Sequence, residues 1–146
     1  MTIAIGCDHG AFELKQIVIN HLEQKNIDIK DCGTFTEESC DYSDYAVKVC
    51  ELVNRKDADF GILICGTGIG MSIAANKIDG IRCALLSDVF SAKATRSHND
   101  TNVMAMGARV VGVGLALEVV DAFLNEPFSN EERHQRRIDK IMSLEG

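Results

Sequence analysis

Apolar residues fall in short runs separated by longer amphipathic stretches, the pattern of strands alternating with helices. Thr2–Cys7 is the first run, and residues 12–24 follow with Leu14, Ile17, Val18 and Leu22 on one helical stripe. His21 lies beside that stripe and is read as structural. Residues 27–30 make a short second strand, 31–44 a polar loop holding Cys40, Asp41 and Tyr42, and 45–54 a helix with Ala46, Val49, Cys50 and Val53 on one face. An apolar run at 61–64 predicts a buried parallel strand, with a helix over 72–77. Further strands are expected at 81–86 and 103–106, and helices at 89–97, 115–124 and 131–144. Residues 115–124 are apolar on more than one face, which means deep burial or an oligomer interface. The whole predicts a single α/β domain over residues 1–146: a Rossmann-like, doubly wound sheet of about five parallel strands with flanking helices and a C-terminal helix.

Residues 60–71, Phe-Gly-Ile-Leu-Ile-Cys-Gly-Thr-Gly-Ile-Gly-Met, carry the most chemistry. The strand ends at Cys65, on the edge where open α/β sheets bind ligands. Gly66, Gly68 and Gly70 permit positive φ and close backbone approach, so the amides from Gly66 through Ile69 to Gly70 can point at an anion near the helix's positive end. Thr67 is placed either to hold a substrate oxygen or to cap the helix. Together these groups suit proton abstraction beside a carbonyl, with Cys65 as base and the turn stabilising an enolate oxygen. The competing reading of Cys65 is a core thiol, since cysteine is among the most buried residue types.

Asp8 and His9 follow the first strand, at the same edge, and are functional candidates beside the alternative of an Asx-type turn or helix cap. Tyr42 could line a pocket. His98-Asn99-Asp100-Thr101-Asn102 reads as a helix-to-strand loop, and a histidine there suits proton transfer near neutrality. Such a loop belongs at the edge opposite a strand-to-helix turn. If His98 works with Cys65, it therefore reaches in from another subunit. Arg133 and Arg137, four apart on a helix, are neighbours able to grip a phosphate, against the plainer reading of a solvated, salt-bridged face.

Composition narrows the partners. A net charge of −7 and a pI near 5.0 argue against nucleic acid. No apolar stretch reaches the length of a membrane span, so no membrane partner is expected and a cytoplasmic protein is. The six cysteines, at 7, 32, 40, 50, 65 and 83, include no CxxC pair and are read as reduced thiols. Cys7-Asp8-His9 could be half of a metal site, but no second Cys/His cluster stands at zinc spacing; neither a metal nor a cofactor is expected.

The chain resembles the type B ribose-5-phosphate isomerases, grouped with galactose-6-phosphate isomerase subunits. Gly6-Cys7-Asp8-His9-Gly10, the segment from Gly61 through Cys65 to Gly70, Ser72-Ile73-Ala74-Ala75-Asn76-Lys77 and His98 to Val103 carry the resemblance, with Gly107, Arg109 to Gly112 and Arg133 to Arg137 adding to it. It covers essentially the whole chain. The resemblance implies a metal-independent aldose-ketose isomerase of the pentose phosphate pathway, interconverting ribose 5-phosphate and ribulose 5-phosphate through an enediolate. It gives Cys65 the role of shuttling a proton between C1 and C2, and His98 that of assisting opening of the furanose ring. Thr67 and the amides of 66–70 would handle the oxyanion. Asp8 and His9 match sugar-binding positions; Asn99, Arg109, Arg133 and Arg137 match substrate or phosphate contacts. It further implies a homodimer or homotetramer with the site between subunits, the counterparts of His98, Asn99 and Arg109 coming from the neighbour. Because this chain has both the Cys65 turn and His98, self-association suffices, which favours ribose over the divided galactose 6-phosphate enzymes.

Two alternatives stand beside this. An allose 6-phosphate or other hexose phosphate would need only a longer pocket. A nucleotide-binding module is suggested by Gly66-x-Gly68-x-Gly70, with Asp88 about twenty residues on at the end of the next strand. That motif nevertheless misses the G-x-G-x-x-G/A spacing at its last glycine and follows the third strand pattern instead of the first.

Overall fold

The computed structural model describes residues 1–146. Five parallel strands, β1 (Thr2–Cys7), β2 (Asp28–Asp31), β3 (Phe60–Cys65), β4 (Cys83–Leu85) and β5 (Val103–Gly107), form one sheet in the order β2-β1-β3-β5-β4. Six helices connect and cover them: α1 (Phe12–Glu23), α2 (Tyr42–Asn54), α3 (Ile69–Asn76), α4 (Val89–Asn99), α5 (Val113–Asn125) and α6 (Glu132–Met142). Strand order reverses between β1 and β3, the switch point where open α/β sheets bind ligands.

The central strands are buried on both faces, which is why they read as continuous apolar runs. Period-two alternation sends Ile3, Ile5, Cys7, Ile62, Ile64, Met104 and Met106 into a core shared with α1 and α5. The intervening Ala4, Leu63, Cys65, Val103 and Ala105 face α2 and α3. Deep burial explains most of the apolar character of α5: Ala116, Val119, Val120 and Phe123 are fully buried. His21 is structural, its Nε2 lying 2.8 Å from Asp121 Oδ1 and so tying α1 to α5.

Several helix ends lie one to three residues from the sequence expectation, among them the start of α5 at Val113 and the end of α6 at Met142, and three of them bear on the site. Helix α2 starts at Tyr42 and not at 45, because Asp41 supplies an extended cap residue and Asp44 a favourable first-turn charge. Helix α3 starts at Ile69, taking Gly70 out of the turn. Helix α4 runs on to Asn99, so His98 and Asn99 occupy its last turn and not a loop. Two arginines make that extension possible. Arg82 donates to the carbonyls of Asn99 and Asp100 at 3.0 and 2.7 Å, and Arg96 donates to the Asp100 carboxylate at 2.9 Å and the Thr101 carbonyl at 2.7 Å. They satisfy carbonyl groups that a helix end leaves without partners. The smaller differences are at strand ends: β2 is shifted one residue and β4 is shorter than expected.

Arg96 is itself nearly buried, its guanidinium 4.6 Å from the Phe60 ring centroid and 5.7 Å from that of Phe123. The two rings meet edge to face at 5.7 Å. Phe123→Ala should therefore lower unfolding free energy by about 3–5 kcal/mol, measured by urea denaturation at equilibrium. A loss below about 1 kcal/mol would show that this junction of α4, α5 and the sheet is not tightly packed.

Candidate active site

At the end of β3 the chain turns through Gly66-Thr67-Gly68 into α3. Gly68 alone of the three alternating glycines takes a positive φ, 78°, and a Cβ there would lie 2.7 Å from the backbone carbon of Met106. Gly70 is required for a different reason. It sits in the first turn of α3, where a Cβ would meet the Tyr42 ring at 2.5 Å. The Gly68 amide donates to Cys65 Sγ at 3.1 Å, and the Ile69 amide donates to Thr67 Oγ1 at 3.2 Å. That bond closes a local turn ahead of α3, whose cap residue is Gly68, and the Thr67 side chain is exposed. The amides of Gly70 and Met71 make no bond within the chain, leaving two donors at the helix's positive end for an anion.

Asp8 and His9 are delivered to the same place. The Asp8 amide donates to the Ile64 carbonyl at 3.2 Å, which fixes it beside the end of β3. Its carboxylate accepts from the Gly10 amide at 3.0 Å, forming the Asx-type cap. His9 is exposed, and its Nδ1 lies 3.2 Å from the Cys40 amide, which can only donate; this leaves Nε2 as the protonated nitrogen, free to donate outward. Arg109 belongs to this edge as well: its amide donates to the Gly66 carbonyl at 3.0 Å, and its Cδ lies 3.7 Å from where a Gly66 Cβ would be. In position it groups with the Cys65 turn and not with His98 and Asn99.

His98 and Asn99 lie at the other edge. The parallel register sets Val103, at the start of β5, opposite Gly61, four residues before Cys65. Four strand residues span about 13 Å, and His98 lies further back along the chain. Around His98 the structure gathers α6. The His134 ring lies on the His98 ring with centroids 4.4 Å apart, and Arg133 and Arg137 project from exposed positions on the same helix. Arg133 Nε donates to Glu131 Oε2 at 2.7 Å; Arg137 carries no such ion pair. The candidate residues therefore form two clusters, one per edge.

The thiols separate on physical grounds. Cys7 ends β1 next to Cys65, but burial in the α1/α5 core pushes it up to about 11, with Lys15 only partly opposing. Burial pushes Cys50 up to about 12, and raises Cys83, helped by Cys50. Cys65 is the cysteine at the strand edge whose sulfur touches the glycine turn. No three His, Cys, Asp or Glu side chains converge as a metal site would require.

Sequence reasoning missed two contributors and misplaced a third. Tyr42, expected in a polar loop where it could line a pocket, begins α2 and packs its ring beside Gly70. The Cys40 amide acts through backbone, which leaves no compositional trace. His134 shares a helical face with Ile138 and Ile141, so a histidine on the buried stripe of α6 was the available signal.

A cavity of about 560 Å³ lies away from Cys65, by the end of α4, lined by Arg82, Asn99, Thr101, Met142 and Leu144 among others. Exposed apolar side chains stand on the elements that begin at the Cys65 edge, including Ile69 and Ile73 of α3 and Phe90 of α4, which is 81% exposed, with Leu85 of the edge strand β4 beside them.

Comparison with known proteins agrees with this architecture. A family model described as Ribose/Galactose Isomerase matches residues 3–141. Ribose-5-phosphate isomerase B of Escherichia coli is 48% identical over 143 residues, covering 98% of this chain and 95% of that protein. The solved structure of ribose-5-phosphate isomerase B from Clostridium thermocellum superposes with a TM-score of 0.97 at 46% identity, covering 99% of this chain and 97% of that one. The enzyme of the same name from Mycoplasma genitalium, solved with bound ribulose 5-phosphate, gives a TM-score of 0.91 at 40% identity, with 97% and 94% covered. The match spans both edges of the sheet and both residue clusters, and the chain belongs to the ribose/galactose isomerase family.

Proposed function

We propose that this chain is a cytoplasmic aldose-ketose isomerase that interconverts D-ribose 5-phosphate and D-ribulose 5-phosphate, acting as a homo-oligomer whose site lies between subunits. The observation that carries the chemistry is Cys65, set beside the β1/β3 switch point with its sulfur on the Gly68 amide and two open helix amides beyond. The named relatives support the choice of a pentose phosphate, and the Mycoplasma genitalium enzyme's bound ribulose 5-phosphate supports the product.

In this reading the sugar enters as a furanose. His98 of a neighbouring subunit takes the proton of the anomeric hydroxyl and returns one to the ring oxygen, so that the C1–O4 bond breaks as the C1 carbonyl forms. Cys65, as thiolate, removes the C2 proton. Negative charge moves to O1, where the amides of Gly70 and Met71 and the Thr67 hydroxyl are placed to hold it. The proton is then delivered to C1, the O2 proton ends on O1, and the C2 carbonyl of the ketose remains. Asp8 and His9 orient sugar hydroxyls, while Arg133 and Arg137 with Arg109 offer fixed positive charge for the phosphate. Asn99 stands beside His98 as a hydrogen-bonding partner.

The same geometry supports the oligomer. Cys65 and His98 cannot meet within one chain, and the exposed Ile69, Ile73, Leu85 and Phe90 supply an apolar surface of the kind that subunits cover.

Ribulose 5-phosphate formation from ribose 5-phosphate, with excess chelator and no added cofactor, tests the reaction directly. Rapid conversion is expected; no conversion, with turnover of allose 6-phosphate instead, would move the substrate to a hexose. Cys65→Ala should lower kcat by roughly a hundred-fold or more with KM little changed, because the thiolate acts in the transition state. A near-normal kcat would show that another group is the base. Arg137→Ala should raise KM roughly ten-fold with a smaller effect on kcat, and an unchanged KM would return this arginine to a solvated helix face.

A further inference from the structure

His98 is exposed, in the last turn of a helix. A group that must pass protons between two sugar oxygens works only if its ring plane is held. The structure supplies the means. The His134 ring lies against it at 4.4 Å between centroids, with 34° between the planes. His134 is only 5% exposed and is held in turn, its Nδ1 lying 2.7 Å from Ser129 Oγ. Ser129 Oγ accepts from the Glu131 amide at 3.2 Å, and the Ser129 amide donates to the carbonyl of Ser97, the residue before His98, at 3.1 Å. The contacts close a ring from Ser97 through Ser129 and His134 back to His98.

We propose that His134, tethered by Ser129, is a positioning residue that fixes the imidazole plane of His98 for opening the sugar ring. This rests on the reading of His98 given above and adds a residue that touches no substrate. Ser129 Oγ accepts from the Glu131 amide and has both a hydroxyl proton and a second lone pair for His134 Nδ1, so it can tether the ring in either tautomer. Burial, then the facing His98, then Arg133 disfavour a charged His134, with Arg137 adding to this and Glu131 opposing it. A neutral, flat platform results. When His98 takes the anomeric proton, it becomes an imidazolium against an uncharged ring; two imidazolium rings at this separation would repel. A leucine or isoleucine would fill the same space on the buried face of α6. It would offer neither a ring plane nor an atom for Ser129 to hold.

The test separates ring opening from proton transfer at carbon. Ribulose 5-phosphate has no furanose form, because its O5 carries the phosphate, so exchange of its C1 hydrogen with solvent deuterium reports Cys65 chemistry without ring opening. His134→Ala should lower turnover of ribose 5-phosphate roughly ten-fold while C1 exchange, followed by proton NMR, stays within about two-fold of wild type. His134→Phe, which keeps a flat ring, should recover most of the lost turnover. Ser129→Ala keeps the ring but cuts its tether; it should lose roughly three-fold in turnover alone, and it carries the test if His134→Ala does not fold. Equal losses in turnover and exchange, or no loss in either, would overturn the inference. His98→Asn is the reference. If it loses turnover selectively and neither the His134 nor the Ser129 variants do, positioning fails and the ring-opening role stands. If His98→Asn itself shows no selective loss, that role falls and the inference with it.

Discussion

All five strands run the same way, and that single constraint decides where the chemistry can be. In a parallel sheet every strand-to-helix turn emerges at the carboxyl edge and every helix-to-strand connection at the amino edge. Cys65, Thr67, Asp8, His9 and Arg109 follow strands, and they gather at one edge. His98 and Asn99 end a helix that leads into a strand, and they stand at the other, with α6 and its arginines beside them. The hydrogen bonds of the ladder, Gly61 opposite Val103 and Cys65 opposite Gly107, hold the two clusters apart. In the proposed mechanism Cys65 and His98 serve one reaction, and a fold that holds them on opposite edges would bring them together by placing a second copy against the first.

Much of this was legible in the sequence because it depends on backbone periodicity. The apolar runs located β1, β3, β4 and β5, and the position of Cys65 at the end of one of them followed from chain order alone. The same topological rule placed His98 at the far edge. Boundaries were less legible where side chains from elsewhere decide them. Residues 98 and 99 look like a polar loop; they are helical because Arg82, from the segment before β4, and Arg96 satisfy the helix end. Gly66, Gly68 and Gly70 look equivalent, yet Gly68 answers to its own backbone angle and to β5, while Gly70 answers to a tyrosine nearly thirty residues away. Local pattern carries no record of such distant partners.

The two cysteines at the carboxyl edge show how position and environment combine. Cys7 and Cys65 end adjacent strands, and sequence alone gives both a strand end at the same edge. Alternation along the strands turns Cys7 into the α1/α5 core, where burial keeps it a thiol, and turns Cys65 towards α3, where it meets an amide of the glycine turn. One register difference separates a packing residue from a candidate base.

Subunit complementation tests the two-edge account most directly. Cys65→Ala and His98→Asn chains, each inactive alone, are mixed, dissociated and reassembled. If each site takes Cys65 from one chain and His98 from another, a mixed dimer holds one intact site and one doubly altered site. Random reassembly makes half the dimers mixed, so about a quarter of wild-type turnover should return. If both residues served a site within one chain, every site in the mixture would lack one of them, and activity would stay at the level of the separate variants.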